Sequence, residues 1–145
     1  MATRPRATGR RRALGGESHS LILDSGAVIA LSRNDRRALA RVADALAAGD
    51  KVVVPAIVLA ETLRGRPADA PVHRVLRKVN RFPPADEVTC RVAASLLEAA
   101  GSSSTVDAVV VAVAIGLGGG VILTSDVGDL MLLADGRPEI VLARC

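Results

Sequence analysis

The chain predicts an α/β domain, a three-layer α/β/α sandwich with a central, mostly parallel twisted sheet, and three features point there. Short continuous apolar runs alternate with longer segments of helical period. Half of the 145 residues are hydrophobic, enough for one real core. Only 1% are aromatic, so Ala, Val, Leu and Ile must fill that core. Apolar runs without polar alternation mark strands covered on both faces, as in a parallel sheet.

Residues 1–19 are rich in Arg, Gly and Ser with almost nothing to bury, and they predict a disordered basic tail or a start codon placed too far upstream. The folded domain is expected over residues 20–145. Leu21 to Leu23 reads as the first strand, Lys51 to Val54 as the second, Val121 to Thr124 as the third and Ile140 to Leu142 as the fourth, with Val79 to Phe82 a weaker fifth. Helical period covers Arg37 to Ala48, Pro55 to Arg64, Val72 to Val79, Glu87 to Ala100 and Val106 to Leu117. Gly49, Gly65 and Gly101 sit where left-handed C-caps belong, Pro55 suits a first helical position, and Asp86 and Thr105 are expected N-caps. Strands alternating with helices imply right-handed crossovers, and such sheets bind ligands at the carboxyl ends of their strands.

The formal charge of +4 is misleading, because Arg4, Arg6, Arg10, Arg11 and Arg12 all lie in the first twelve residues. Setting those five aside from 19 Lys and Arg leaves 14 against 15 acidic residues, a net of −1. Global charge therefore does not argue that the body binds nucleic acid; local clustering must. Cys90 and Cys145 have no metal-type spacing and no secretory signal accompanies them, so a reduced, cytoplasmic setting is expected. The Arg10 to Arg12 run lacks what a twin-arginine export signal needs after it, since the apolar run that follows is broken by Asp24. The uncharged stretch from Ala108 to Leu123 has 16 residues with four glycines, short of the roughly 20 that span a membrane, and none is expected to do so.

The carboxylates carry the functional signal. Asp24 closes the first strand and Asp126 follows the third, so two strands deliver acids to one sheet edge, with Asp129 three residues on. Glu61 has apolar neighbours Ile57 and Val58 at helical spacing and is expected to face inward, where it needs a partner. Asp107 opens the most hydrophobic helix. Singly, each acid has an ordinary explanation as a loop residue, or as a charge at a helix start worth roughly 0.3 to 1 kcal/mol. Together, four acids at one edge repel one another and raise each other's pKa unless a cation neutralises them. No His or Cys accompanies them, because His19 is in the tail and His73 in a basic segment; an all-oxygen set suits Mg²⁺ or Mn²⁺ rather than zinc. Such ions lower the pKa of a bound water and orient a phosphodiester, which makes phosphodiester hydrolysis the matching reaction.

Leu23-Asp24-Ser25, the run Pro55 to Glu61, Asp107-Ala108-Val109 and Leu123-Thr124-Ser125-Asp126 with Asp129-Leu130 resemble, in order, the four motifs of PIN domains, and most nearly those of VapC-type toxins. The resemblance spans residues 21 to about 142. It implies a metal-dependent endoribonuclease that cuts structured RNA, often transfer or ribosomal RNA. It also implies a homodimer, restrained by a small VapB-like antitoxin whose C-terminal segment occupies the active-site groove. Position by position, it makes Asp24, Glu61, Asp107 and Asp126 the metal-binding, catalytic acids, Asp129 an auxiliary ligand, and Thr124 or Ser125 supporting hydrogen-bonders. Gly26 departs from the Ser or Asn these toxins commonly carry, and the long basic tail departs too.

From Thr62 to Ala85 the chain holds Arg64, Arg66, Arg74, Arg77, Lys78 and Arg81 against Asp69 alone, a local net of +5. Arg74, Arg77, Lys78 and Arg81 recur at helical spacing and, with Arg64, could track an RNA backbone; a solvated face or a dock for an acidic antitoxin is the plainer reading. Phe82 is the only aromatic residue, so recognition by shape and phosphate is favoured over base stacking. Two phosphotransfer folds fit poorly. A haloacid-dehalogenase site needs an Asp where Gly26 stands, and a receiver domain needs a phosphoacceptor Asp after a middle strand, where Pro55 stands. The alternative of another class is a non-catalytic PIN-like module that binds RNA or protein.

Overall fold

The structure, a computed structural model, describes residues 19–145, so nearly all of the expected tail lies outside it. Strand β1 (Ser20–Leu23) leads into helix α1 (Ser25–Ser32) and helix α2 (Arg36–Ala47), followed by β2 (Lys51–Val53) and α3 (Ala56–Thr62). A 3-10 turn (Pro67–Asp69) precedes α4 (Ala70–Leu76); then come α5 (Glu87–Ala100), α6 (Thr105–Gly116), β3 (Gly120–Thr124), α7 (Gly128–Leu133) and β4 (Ile140–Arg144). The strands form one sheet in the order β2-β1-β3-β4, and every pairing among them is parallel. Leu23, Leu123 and Ala143 stand in one row across the sheet.

The core is aliphatic, as the composition requires. Ile22, Leu123 and Ile122 are fully buried in the central strands, and seven consecutive residues of α6, Ala108 to Ala114, are buried against α5 and α7. On the other side of the sheet, α1 packs against α2, α3 and α4. No single helix among the described residues is long and apolar enough to cross a membrane.

Two helices escaped the sequence reading. The apolar residues of α1 include buried Ala27, Val28 and Leu31 in a run with almost no polar face, so no 3.6-residue alternation announces the helix. At six residues, α7 is too short to show a period. The fifth strand expected over Val79 to Phe82 is a single bridge between Val53 and Arg81. Pro83 and Pro84 cannot donate to a ladder, and the Asn80 side chain has replaced the backbone by accepting from Val52 N at 2.7 Å. Asp86 does cap α5, accepting from Thr89 N, and Gly101 ends that helix in the left-handed conformation. Pro55 and Ser104, rather than an internal Pro55 and Thr105, are the residues immediately before α3 and α6.

Candidate active site

The carboxyl edge of the sheet is built from β1 and β3. Beyond Leu23 the backbone N–H of Asp24 still donates to Leu123 O at 3.2 Å, which holds Asp24 at the end of the ladder. Its side chain then caps α1, accepting from Ala27 N at 2.8 Å, and only 6% of the residue is exposed. Burial raises the Asp24 pKa, with the Glu61 charge adding to it, against hydrogen bonds from Thr124, Ala27 and Gly26. Thr124 is buried at the end of β3; its hydroxyl donates to the Asp126 carbonyl at 2.8 Å and accepts from Asp126 N at 3.1 Å. The same hydroxyl reaches Asp24, so its one proton serves one acceptor at a time. Asp126 is exposed, with its carboxylate fixed by Gly128 N at 2.9 Å. Exposed Ser125 lies against Gly26, filling the space a side chain there would take.

Glu61 differs from expectation. It is exposed on α3 rather than turned into the core, and its carboxylate is bound by Ser25 Oγ at 2.5 Å. Val58 takes the buried face of α3, which leaves Glu61 free to point at the site. Asp107, in the first turn of α6, is half-buried. Its pKa is pushed up to about 6, first by burial and then by the charges of Asp24, Asp129, Glu61 and Asp126. Glu61 and Asp107 line a polar cleft of about 280 Å³ together with Ser103, Ser104 and Thr105. Asp129, at the start of α7, accepts from Ser104 Oγ at 2.6 Å.

All five acids thus share one electrostatic neighbourhood. Among the described residues, however, no three His, Cys, Asp or Glu side chains are placed together so as to hold a metal ion. An open set of carboxylate oxygens fits Mg²⁺ better than a cage would, because that ion keeps several waters and takes one or two carboxylates plus substrate phosphates. His73 is exposed on α4 and belongs to no such cluster.

The basic residues are partly rearranged. Arg74 lies on α4 and Arg77 caps it, but the helix stops at Leu76, so Lys78 is in a turn and Arg81 in the bridge beside β2. The expected single helical stripe is therefore a bent one along the β2 side of the site. Arg64 folds its guanidinium onto Ala60 O and Leu63 O, closing the end of α3. Three residues went unnoticed in the sequence. Ser25 and Ser104 bind acids, and the Ser102 to Thr105 run ahead of Asp107 was the available signal for the second. Asp69, counted only as a lone negative charge, is a buried carboxylate that accepts from Arg64 N and Arg66 N at 2.7 and 3.2 Å and shapes the loop after α3.

Fold and edge together define a class, a parallel α/β domain that gathers carboxylates at the carboxyl ends of its two central strands. The PIN domain family model matches residues 21–128, and the chain belongs to the PIN-domain family. No curated protein matches it. Among solved structures it is similar to VapBC2 from Rickettsia felis bound to a promoter DNA fragment, at 14% identity and a TM-score of 0.67, covering 87% of this chain and 98% of that one. It is similar also to FitAcB from Neisseria gonorrhoeae, at 18% identity and a TM-score of 0.61, over 84% and 95% of the two chains. VapBC-5 of Mycobacterium tuberculosis, a member of the VapBC family of toxin-antitoxin systems, aligns at 21% identity and a TM-score of 0.55, over 88% and 99%. At these identities the likeness is one of fold.

Proposed function

We propose that the chain is a Mg²⁺- or Mn²⁺-dependent endoribonuclease, the VapC-like toxin of a type II toxin-antitoxin pair, which hydrolyses phosphodiester bonds in structured RNA such as transfer or ribosomal RNA. The observation that carries this reading is the gathering of five carboxylates at one end of the sheet: Asp24 and Asp126 beyond β1 and β3, with Glu61 of α3, Asp107 of α6 and Asp129 of α7 beside them. Asp24, Glu61, Asp107 and Asp126 would hold the cation, with Asp129 auxiliary. When bound, the cation supplies charge neutralisation at the phosphate and a water of lowered pKa for in-line attack, leaving 5′-phosphate and 3′-hydroxyl ends.

The chain's own residues set the geometry. Ser25 fixes the Glu61 carboxylate, Thr124 braces the turn carrying Asp126 beside Asp24, and Ser104 orients Asp129. Arg74, Arg77, Lys78 and Arg81, exposed along the β2 side, would contact the RNA backbone, and Arg64 would join them by leaving the end of α3.

A VapB-like antitoxin is the proposed partner. What supports it is an apolar groove of about 340 Å³ between α2 and α4, lined by Leu31, Leu39, Val42 and Leu46 and edged by Arg74 and Lys78. Its dimensions and rim suit an amphipathic helix with acidic flanks. Exposed Val88, Met131 and Leu132 offer apolar surface to a second copy, in line with a homodimer. A cytoplasmic location accords with an RNA substrate.

The test is incubation of the purified chain, free of antitoxin, with total bacterial RNA, with and without Mg²⁺ or Mn²⁺ and beside Asp24→Asn. Discrete metal-dependent fragments absent from the variant are expected; cleavage that persists in excess EDTA would sink the mechanism. RNA binding by both proteins with no cleavage under either metal would favour the non-catalytic binding module.

A further inference from the structure

A second group of arginines plays no part in the reading above. Arg33, Arg36, Arg37 and Arg41 are exposed, and the acids beside them are Asp35 and, one turn past Arg41 on the same flank of α2, exposed Asp44. The Asp35 carboxylate is committed to capping α2, accepting from Ala38 N at 2.8 Å. The ion pairs among the described residues are Arg91 with Glu87 and Arg137 with Glu139, and neither includes these four.

Topology places the group. The end of α2 feeds β2, whose first residue donates to His19 O at the amino end of β1. With 12 residues, α2 is about 18 Å long, enough to traverse the strands, so its first turn lies at the opposite, carboxyl edge, where the acids are. Arg37 and Arg41 sit one turn apart on the flank of α2 turned away from Leu39 and Leu46, which line the groove toward β2. Their flank therefore faces β4. The far end of β4 agrees with this: Cys145 N donates to Thr124 O at 2.9 Å, beside the site, and the Cys145 thiol, pushed up chiefly by burial and then by Asp24, also feels Asp35 and Arg37. Val141 of β4 is 54% exposed, while Ala143, two residues nearer the site on the same face, is buried.

We propose that Arg37 and Arg41, with Arg33 just ahead of α2, form a second RNA phosphate-binding surface on the β4 side of the carboxylates, opposite Arg74, Lys78 and Arg81. The acids from β1 and β3 then lie between two basic flanks. An RNA strand held by both flanks crosses the acidic edge in the middle, which overcomes the repulsion the acids alone exert on phosphate. This inference rests on the nuclease reading and adds the path of its substrate.

The experiment uses the full chain carrying Asp24→Asn, in EDTA, with fluorescent transfer RNA as the probe, and measures Kd across a salt titration. In that background R33Q/R37Q/R41Q is compared with R33K/R37K/R41K and with R91Q/R137Q, and melting curves verify the fold of each. The glutamine triple variant should weaken binding by about tenfold or more and lower the salt slope by about two to three. The lysine variant should restore most of the affinity, and R91Q/R137Q should match the parent. In the cleavage-competent chain the glutamine variant should raise KM more than it lowers kcat. Kd and salt slope equal to the parent's would overturn the proposal while leaving the nuclease reading intact, provided the unmodified chain cleaves RNA. Loss of antitoxin binding with RNA affinity unchanged would overturn it in favour of a protein-docking surface. A chain that neither cleaves nor binds RNA would remove both readings.

Discussion

Asp107 has four carboxylates around it and half of its surface covered, and its titration follows from that. An aspartate in the unfolded chain titrates near 3.8 and the folded Asp107 near 6, so between these values the folded state holds the proton more tightly. That preference favours folding at the acid end and fades as pH rises through about 6; at neutral pH the ionised group opposes the fold. The metal-free protein should therefore melt higher near pH 5 than near pH 7.5 as far as this residue is concerned. Asp107→Asn should remove that part of the pH dependence and raise the melting temperature at pH 7.5, while RNA cleavage falls by roughly 100-fold or more. Calorimetry in EDTA across this range decides it, and an unchanged pH profile in the variant would mean the crowding is not felt. Gly26 makes a second residue-scale case. A methyl there would meet the Ser125 hydroxyl, which can rotate away, but also Ser125 Cβ and backbone N at 3.1 and 3.2 Å, which cannot do so easily. Gly26→Ala should cost about 1 to 2 kcal/mol in urea unfolding, and adding Ser125→Gly should recover most of it; a single variant as stable as the parent would show the contact to be slack.

At the scale of elements, the loop between α3 and α4 hangs on one carboxylate. Asp69 accepts from the backbone at Arg64, Gly65 and Arg66, and these bonds hold its pKa below the ordinary value. Its contribution is thus present above about pH 4 and is lost as pH falls through its lowered pKa. Asp69→Ala should lower the melting temperature by several degrees at pH 7 and much less in strong acid, and loop amides should exchange faster with solvent. A melting temperature unchanged at pH 7 would show that the loop holds without it. Such a residue illustrates what the sequence conceals. The central strands β1 and β3 were legible because both their faces are largely buried, and the acids because Asp24 and Asp126 follow apolar runs directly. Contacts between distant residues left no local mark: Ser25 with Glu61, Ser104 with Asp129, and Asp69 with the loop before it. Glu61 was misjudged because its apolar neighbours show only that α3 is buried on one side, not which side the acid takes. In α1, a sequence apolar from Gly26 to Leu31 has no polar face, and so lacks the periodicity that would have revealed the helix.

The whole molecule is close to neutral once its first residues are set aside, since residues 20–145 carry 14 basic and 14 acidic residues. What the fold does is separate those charges, drawing acids to the ends of β1 and β3 and leaving arginines on either side. The five arginines at positions 4, 6, 10, 11 and 12 add positive charge to a body whose own charge is already arranged. We propose that the domain begins at Ser20, where β1 starts and pairs with β2 and β3. A chain shortened to residues 20–145 should then keep its melting temperature and its metal-dependent cleavage pattern. Its affinity for RNA should fall uniformly across sequences, with the salt slope reduced by about 0.7 to 0.9 for each arginine that had engaged a phosphate. A shortened chain that fails to fold, or melts far lower, would place part of the core in the removed segment. A changed cleavage pattern with an intact fold would instead make those arginines part of how the RNA is chosen.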